Sequence, residues 1–184
     1  MRAWRKAADE GHSSAQGALG ICYDHGLGVA EDTKAAAQWY AMAAAQGSAV
    51  GQTCLGTCCL MARGVAQDLT AAAAWYAKAA AQGYAIAQLN LGVCYANGEG
   101  VAQIFKAAAA WYAKAAAQGN ARAQYNLGAC YANGEGVVQN FGTAAEWFAK
   151  GAARGDTKAS ANRDSCLARA ASTDAGGGRA PLKL

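Results

Sequence analysis

Residues 84–119 read YAIAQLN LGVCYANGEG VAQIFKAAAA WYAKAAAQG, and this stretch decides the fold. Within 84–97, Ala87, Leu91 and Tyr95 fall at i, i+4 and i+8, one face of an α-helix. Asn97-Gly98 can end that helix, because glycine takes the left-handed conformation of a C-terminal cap without strain. Gly92 lies mid-helix, where it costs about 1 kcal/mol of propensity against alanine, so the reading expects a close approach of two backbones there. The loop through Gly100 reverses the chain. A second helix follows near 104–118, with Ala108, Trp111 and Ala115 as its apolar seam, and Gly119 stops it.

The same 36-residue pattern runs along most of the chain. Tryptophan stands at Trp39, Trp75, Trp111 and Trp147, each followed by an aromatic: Tyr40, Tyr76, Tyr112 and Phe148. Leu-Gly pairs recur at Leu19-Gly20, Leu55-Gly56, Leu91-Gly92 and Leu127-Gly128. A fixed period of this length marks a stacked array of two-helix units. Asp32, Asp68 and Asn140 occupy the N-cap of the second helix, whereas Ile104 has no capping oxygen. Four copies result, at 12–47, 48–83, 84–119 and 120–155. Residues 1–11 form a partial repeat, a second helix only, and its Trp4 has no preceding first helix in this sequence, as in a fragment of a longer array. Residues 156–171 read as a C-terminal capping helix in which Arg163-Asp164 replaces Leu-Gly, a polar change that suits the end of a stack. The stretch 172–184 reads as a flexible tail.

These motifs resemble the Sel-1-like repeat (SLR) family, a relative of tetratricopeptide arrays. The family pattern, roughly A-x-A-x-x-x-L-G-x-x-Y-x-x-G-x-G-V followed by an acidic cap and A-x-x-W/Y-x-x-K-A-A-x-x-G, is matched from Ala85 to Gly119 almost throughout. The resemblance implies an all-α fold, a right-handed α–α superhelix of antiparallel helix pairs, with first helices lining the concave side. It also implies a protein-interaction scaffold or adaptor. Two copies depart from the pattern. In the second, Ala62 replaces a loop glycine and Cys59 the tyrosine; in the first, Gly17-Ala18 weakens the first helix. Cysteine-rich bacterial members tie their paired helices by disulfides, and the two positions concerned are Ala80 and Gln88 here.

Composition narrows the function. Hydrophobic residues make up 54% and charged residues 15%, the net charge is +4, and Pro181 is the single proline. No dense basic stripe suggests nucleic-acid binding. No apolar run approaches the ~20 residues of a membrane span, and the start has no apolar core of a secretory signal, so a cytoplasmic monomer is expected. Seven cysteines are an odd number for a disulfide framework. Five of them (Cys22, Cys58, Cys94, Cys130, Cys166) share one register, where equivalent positions of stacked helices stand ~8–10 Å apart, too far for a bridge. They read as small core hydrophobes. Cys54, Cys58 and Cys59 have no histidine near them in sequence, so no metal is expected. His12 and His25 read as surface or cap residues. No phosphate loop, zinc-protease or nucleophile-elbow motif occurs, and no serine has the lysine three residues on that a β-lactamase would use. No enzyme activity and no cofactor are expected; a β-lactamase-like hydrolase, as described for some SLR proteins, is the remote alternative.

Comparison of the copies points to a binding face. Positions that match hold the array, and those that vary on one face are free to specify a partner. On the first helix the variable set is 86, 89, 93 and 96. The candidate residues are Ile86, Leu89, Asn90, Val93 and Asn97 in the third copy, with Arg122, Tyr125, Asn126 and Asn133 in the fourth. Leu89 and Tyr125 are expected to point away from the core as anchors. The asparagines offer donors and acceptors that suit a peptide backbone, or else they only cap local backbone. The partner expected is a protein or peptide; a passive spacer within a larger adaptor is the alternative. On the second helices Lys78, Lys114 and Lys150 recur, which reads as a solvated face.

Overall fold

The structure, a computed structural model, describes residues 2–152 and 157–176, so residues 177–184 of the expected tail lie outside the described residues. Among the described residues there are ten helices and no strand. The chain divides into two compact units, Met1–Gln103 and Ile104–Leu184. The first holds α1 (Arg2–Asp9), α2 (Ser13–His25), α3 (Thr33–Ala45), α4 (Ala49–Met61), α5 (Leu69–Ala81) and α6 (Ala85–Asn97). The second holds α7 (Phe105–Ala117), α8 (Ala121–Asn133), α9 (Phe141–Ala152) and α10 (Thr157–Gly176). Helix α10 runs past Ser172, where the sequence reading starts the tail. Its closing turns are rich in alanine, the best helix former, and Ser172 bonds back to the Ala168 carbonyl at 2.9 Å.

Helix ends follow local chemistry. The carboxylates of Asp32 and Asp68 accept from the amides of Ala35 and Ala71 at 2.9 and 2.8 Å, and Asn140 accepts from Thr143 at 2.8 Å. Ile104 makes no such bond, yet α7 starts in the same register. A cap contributes about 1 kcal/mol, and α7 forms without it. At the C-terminal ends Gly26, Gly98 and Gly134 are left-handed. Ala62 does the same at φ 56°, so the second copy keeps its turn in spite of the missing glycine.

The aromatic pair divides its labour. Tyr40, Tyr76, Tyr112 and Phe148 are buried, Tyr76 to 1% exposure, whereas the preceding tryptophans are only half-buried. This corrects the expected seam: Ala108 and Ala115 are buried as read, but Tyr112 rather than Trp111 is the aromatic of the core. Tyr95 is likewise only half-buried, although Ala87 and Leu91 are buried. The helical glycines of the Leu-Gly pairs also differ from expectation. Gly20, Gly56 and Gly128 receive the rings of Tyr40, Tyr76 and Phe148, not a second backbone alone. The close backbone approach lies in the loops instead. Gly64, Gly100 and Gly136 have positive φ, and a Cβ on any of them would overlap the carbonyl of Thr33, Leu69 or Phe105 in the preceding copy.

Glutamine cross-links the helices. Gln16, Gln52, Gln88 and Gln124 donate to the carbonyls of Ala8, Ala44, Ala80 and Ala116 at 3.2–3.4 Å. Gln46 and Gln82 in turn donate to the side chains of Gln16 and Gln52 at 2.7 and 2.8 Å. Gln88 and Ala80, the pair at which the resemblance places a disulfide in cysteine-rich members, are therefore joined by a hydrogen bond.

Candidate interaction face

A first helix shows its accessible side along one strip. On α6 the strip is Ile86, Asn90, Val93 and Asn97; Ile86 and Asn97 are exposed and the other two half-buried. The steps of four, three and four residues keep these side chains within a narrow arc of the 3.6-residue turn. Leu89 does not belong to it. At 4% exposure it is a core residue, because a step of three from Ile86 rotates it by about 60° onto the flank. Thr53, at the same position of the second copy, is buried as well. The apolar anchor read at Leu89 is thus corrected to a packing residue.

On α8 the matching strip is Arg122, Asn126, Ala129 and Asn133, with Arg122 and Asn133 exposed. Tyr125 is half-buried and shared with the core: its ring meets Phe148 edge to face at 5.3 Å. Its hydroxyl accepts from Asn162 Nδ2 at 3.0 Å. In the second copy the strip carries Val50, Cys54, Thr57 and Met61, of which Val50 and Met61 are exposed.

The asparagines divide into two groups. Asn97 and Asn133 donate to the Glu99 and Glu135 carboxylates at 3.1 and 3.4 Å, and Asn162 is engaged by Tyr125. Asn90 and Asn126 have no hydrogen-bond partner for their side chains among the described residues, although both are half-buried. The amide that does cap a first helix is Asn120, whose oxygen accepts from Ala123 N at 2.9 Å. The recurring glutamines were visible at two positions of the repeat, but repetition alone does not separate a cross-link from a surface amide.

Charge on the first-helix side is sparse. Arg63 pairs with Asp24 at 3.0 Å and also donates to its carbonyl at 3.3 Å, joining the first two copies. Cys58, Cys94 and Cys130 lie inward: burial pushes them up to about 11, with the Asp24, Glu99 and Glu135 carboxylates respectively adding to the rise. Among the described residues no group of three histidine, cysteine or acidic side chains is placed to hold a metal ion. No helix among them is long and apolar enough to cross a membrane. The second-helix lysines are not simply solvated: the ammonium groups of Lys78, Lys114 and Lys150 lie 4.0, 3.9 and 4.1 Å over the rings of Trp75, Trp111 and Trp147.

A family model for the Sel1 repeat matches residues 13–48, 50–84, 85–120 and 121–156. Among solved structures, a protective antigen of uropathogenic Escherichia coli displaying an SLR fold is 35% identical with a TM-score of 0.82, over 86% of this chain and 34% of that one. A Sel1 repeat protein from Oxalobacter formigenes is also 35% identical, with a TM-score of 0.78 over 85% of this chain and 65% of that one. Cysteine rich protein B of Helicobacter pylori is 26% identical at a TM-score of 0.55, over 71% of this chain and 94% of that one. This chain thus spans about a third of the length of the first and under two thirds of the second. No curated protein matches. The likeness establishes the helical repeat fold of the SLR solenoids.

Proposed function

The chain belongs to the Sel1 repeat family, and from that premise we propose that it is a non-enzymatic scaffold whose protein or peptide partner lies along the strips of the first helices, the side the family makes concave. The observation that carries this reading is the state of Asn90 and Asn126, half-buried amides without a hydrogen-bond partner among the described residues. Both amides keep contact with solvent, since Asp24 Oδ1 is the one buried side-chain polar atom without a hydrogen-bond partner among the described residues, and an extended peptide backbone can supply a donor and an acceptor to each of them. In the first unit, Val50, Met61 and Ile86 are exposed apolar side chains, Met61 at 63% and Ile86 at 47%. Apolar side chains together with polar groups left for a partner match the apolar core and polar rim of protein interfaces.

Peptides selected from a random library against the full chain provide the test. Affinity for such a peptide should fall by about tenfold or more in Ile86→Asp and Asn90→Ala, the loss of one or two interface contacts, with helical content unchanged. Lys78→Ala should leave it within a factor of about two. Loss confined to Lys78→Ala would move the binding face to the second helices. Peptides insensitive to every strip substitution would leave the array as a passive spacer.

A further inference from the structure

We propose that the first-helix strip of the second unit, centred on Arg122 and Asn126 of α8, takes an acidic protein segment. The inference rests on the scaffold reading and adds the chemistry of the partner at this unit.

Arg122 is the only charged residue of α8. It is exposed and forms no ion pair among the described residues. It is also the second residue of its helix, in the first turn, where the helix dipole disfavours a cation and favours an anion. The fold therefore gains nothing electrostatic from it. The equivalent positions in the earlier copies are Ser14, Val50 and Ile86, none of them charged. One turn on, Asn126 presents an amide without a partner.

No acid among the described residues is paired with this arginine, and two of them are placed elsewhere. Asp164 is held by Arg163 at 2.8 Å. Glu135 receives the Asn133 amide and follows the last residue of α8, which puts it about 20 Å along the helix axis from Arg122. The sequence has the same sign of charge over this part of the chain. Residues 104–184 contain ten basic and five acidic residues, whereas residues 1–103 contain six and seven. An exposed guanidinium pairs with a carboxylate through two parallel hydrogen bonds, and Asn126 can take the adjoining peptide group. A nucleic acid fits less well, because binding phosphates demands several cations on one surface and α8 supplies one.

The test uses the full chain and two fluorescein-labelled peptides, one alternating glutamate with alanine and one with glutamine in place of every glutamate. Anisotropy titrations at low and high salt compare the wild type with Arg122→Gln and with Lys106→Gln, an equal charge change on α7. The glutamate peptide should bind at least about tenfold more tightly than the glutamine peptide, and high salt should erase most of that difference. Arg122→Gln should remove at least about tenfold of the affinity, whereas Lys106→Gln should change it less than about twofold. The thermal midpoint of Arg122→Gln should be unchanged or slightly raised, since a cation has left the start of a helix. Equal losses in the two variants would show an effect of net charge and overturn the assignment. Equal binding of the two peptides, or no binding of the glutamate peptide, would overturn the acidic preference. In either case the peptides selected for the scaffold test, which need carry no acid, judge that reading separately.

Discussion

The ring of Tyr76 lies against Gly56, so closely that a Cβ on this glycine would come within 2.8 Å of Tyr76 Cε1. Alanine at 56 would gain about 1 kcal/mol of helix propensity. Tyr76 is enclosed on all sides, however, and its hydroxyl is hydrogen-bonded to Thr57 at 3.0 Å, so it has nowhere to swing. Gly56→Ala is expected to destabilise by about 1–3 kcal/mol net, as overpacked cores do. A urea titration measures it, and a neutral or stabilising result would contradict the ring-on-glycine contact.

Trp75 and Lys78 are expected to be coupled. A double-mutant cycle of Trp75→Ala and Lys78→Ala should give an interaction of about 0.5–1 kcal/mol, typical of an exposed cation–π pair. Tyr76→Ala should cost about 3–5 kcal/mol as a core truncation, and Trp75→Ala less, because that ring is only half-buried. A cycle that closes to zero would return Lys78 to an ordinary solvated side chain.

Ala62 is the single non-glycine residue with positive φ among the described residues. An L-residue in that conformation costs roughly 1–2 kcal/mol, and glycine does not. Ala62→Gly should therefore raise stability by about 1 kcal/mol once the extra freedom of glycine in the unfolded chain is subtracted. A thermal midpoint that falls would show the turn of the second copy to be held differently.

Stability should decline above about pH 9. Burial lifts Cys58, Cys94 and Cys130 to about 11 from the ordinary thiol value of 9.0. The unfolded chain then loses these protons first, so it binds fewer protons than the folded one between the two values. The stabilisation is complete below pH 9 and is lost as pH rises towards 11. Denaturant titrations across that window should show the decline, and Cys94→Ala should make it shallower at the cost of some stability at pH 7. A flat profile would mean that these thiols are accessible to solvent.

Much of the fold was legible because the repeat tests itself: four copies agree on where helices begin, stop and carry aromatics. What periodicity could not resolve was which of two adjacent aromatics is buried. Trp75 and Tyr76 differ by about 100° on the helix, and both suit an apolar seam. The accessible strip was misjudged in the same way at Leu89, since sequence variation between copies marks freedom from the repeat rather than exposure. Leu89 varies because a flank position accepts glycine, threonine, leucine or tyrosine. The asparagines were visible as a recurring type, but only the geometry separates Asn97, which bonds to Glu99, from Asn90, whose side chain has no partner among the described residues.

The most direct measurement of the central claim is the side-chain amide spectrum of the full chain, labelled with ¹⁵N at asparagine and tryptophan, on titration with a selected peptide. The account predicts that the Asn90 and Asn126 amide signals shift and sharpen as they acquire partners, while the Trp75, Trp111 and Trp147 indole signals stay in place. Shifts confined to those indoles, beside Lys78, Lys114 and Lys150, with Asn90 and Asn126 unmoved, would contradict it and place the partner on the second helices.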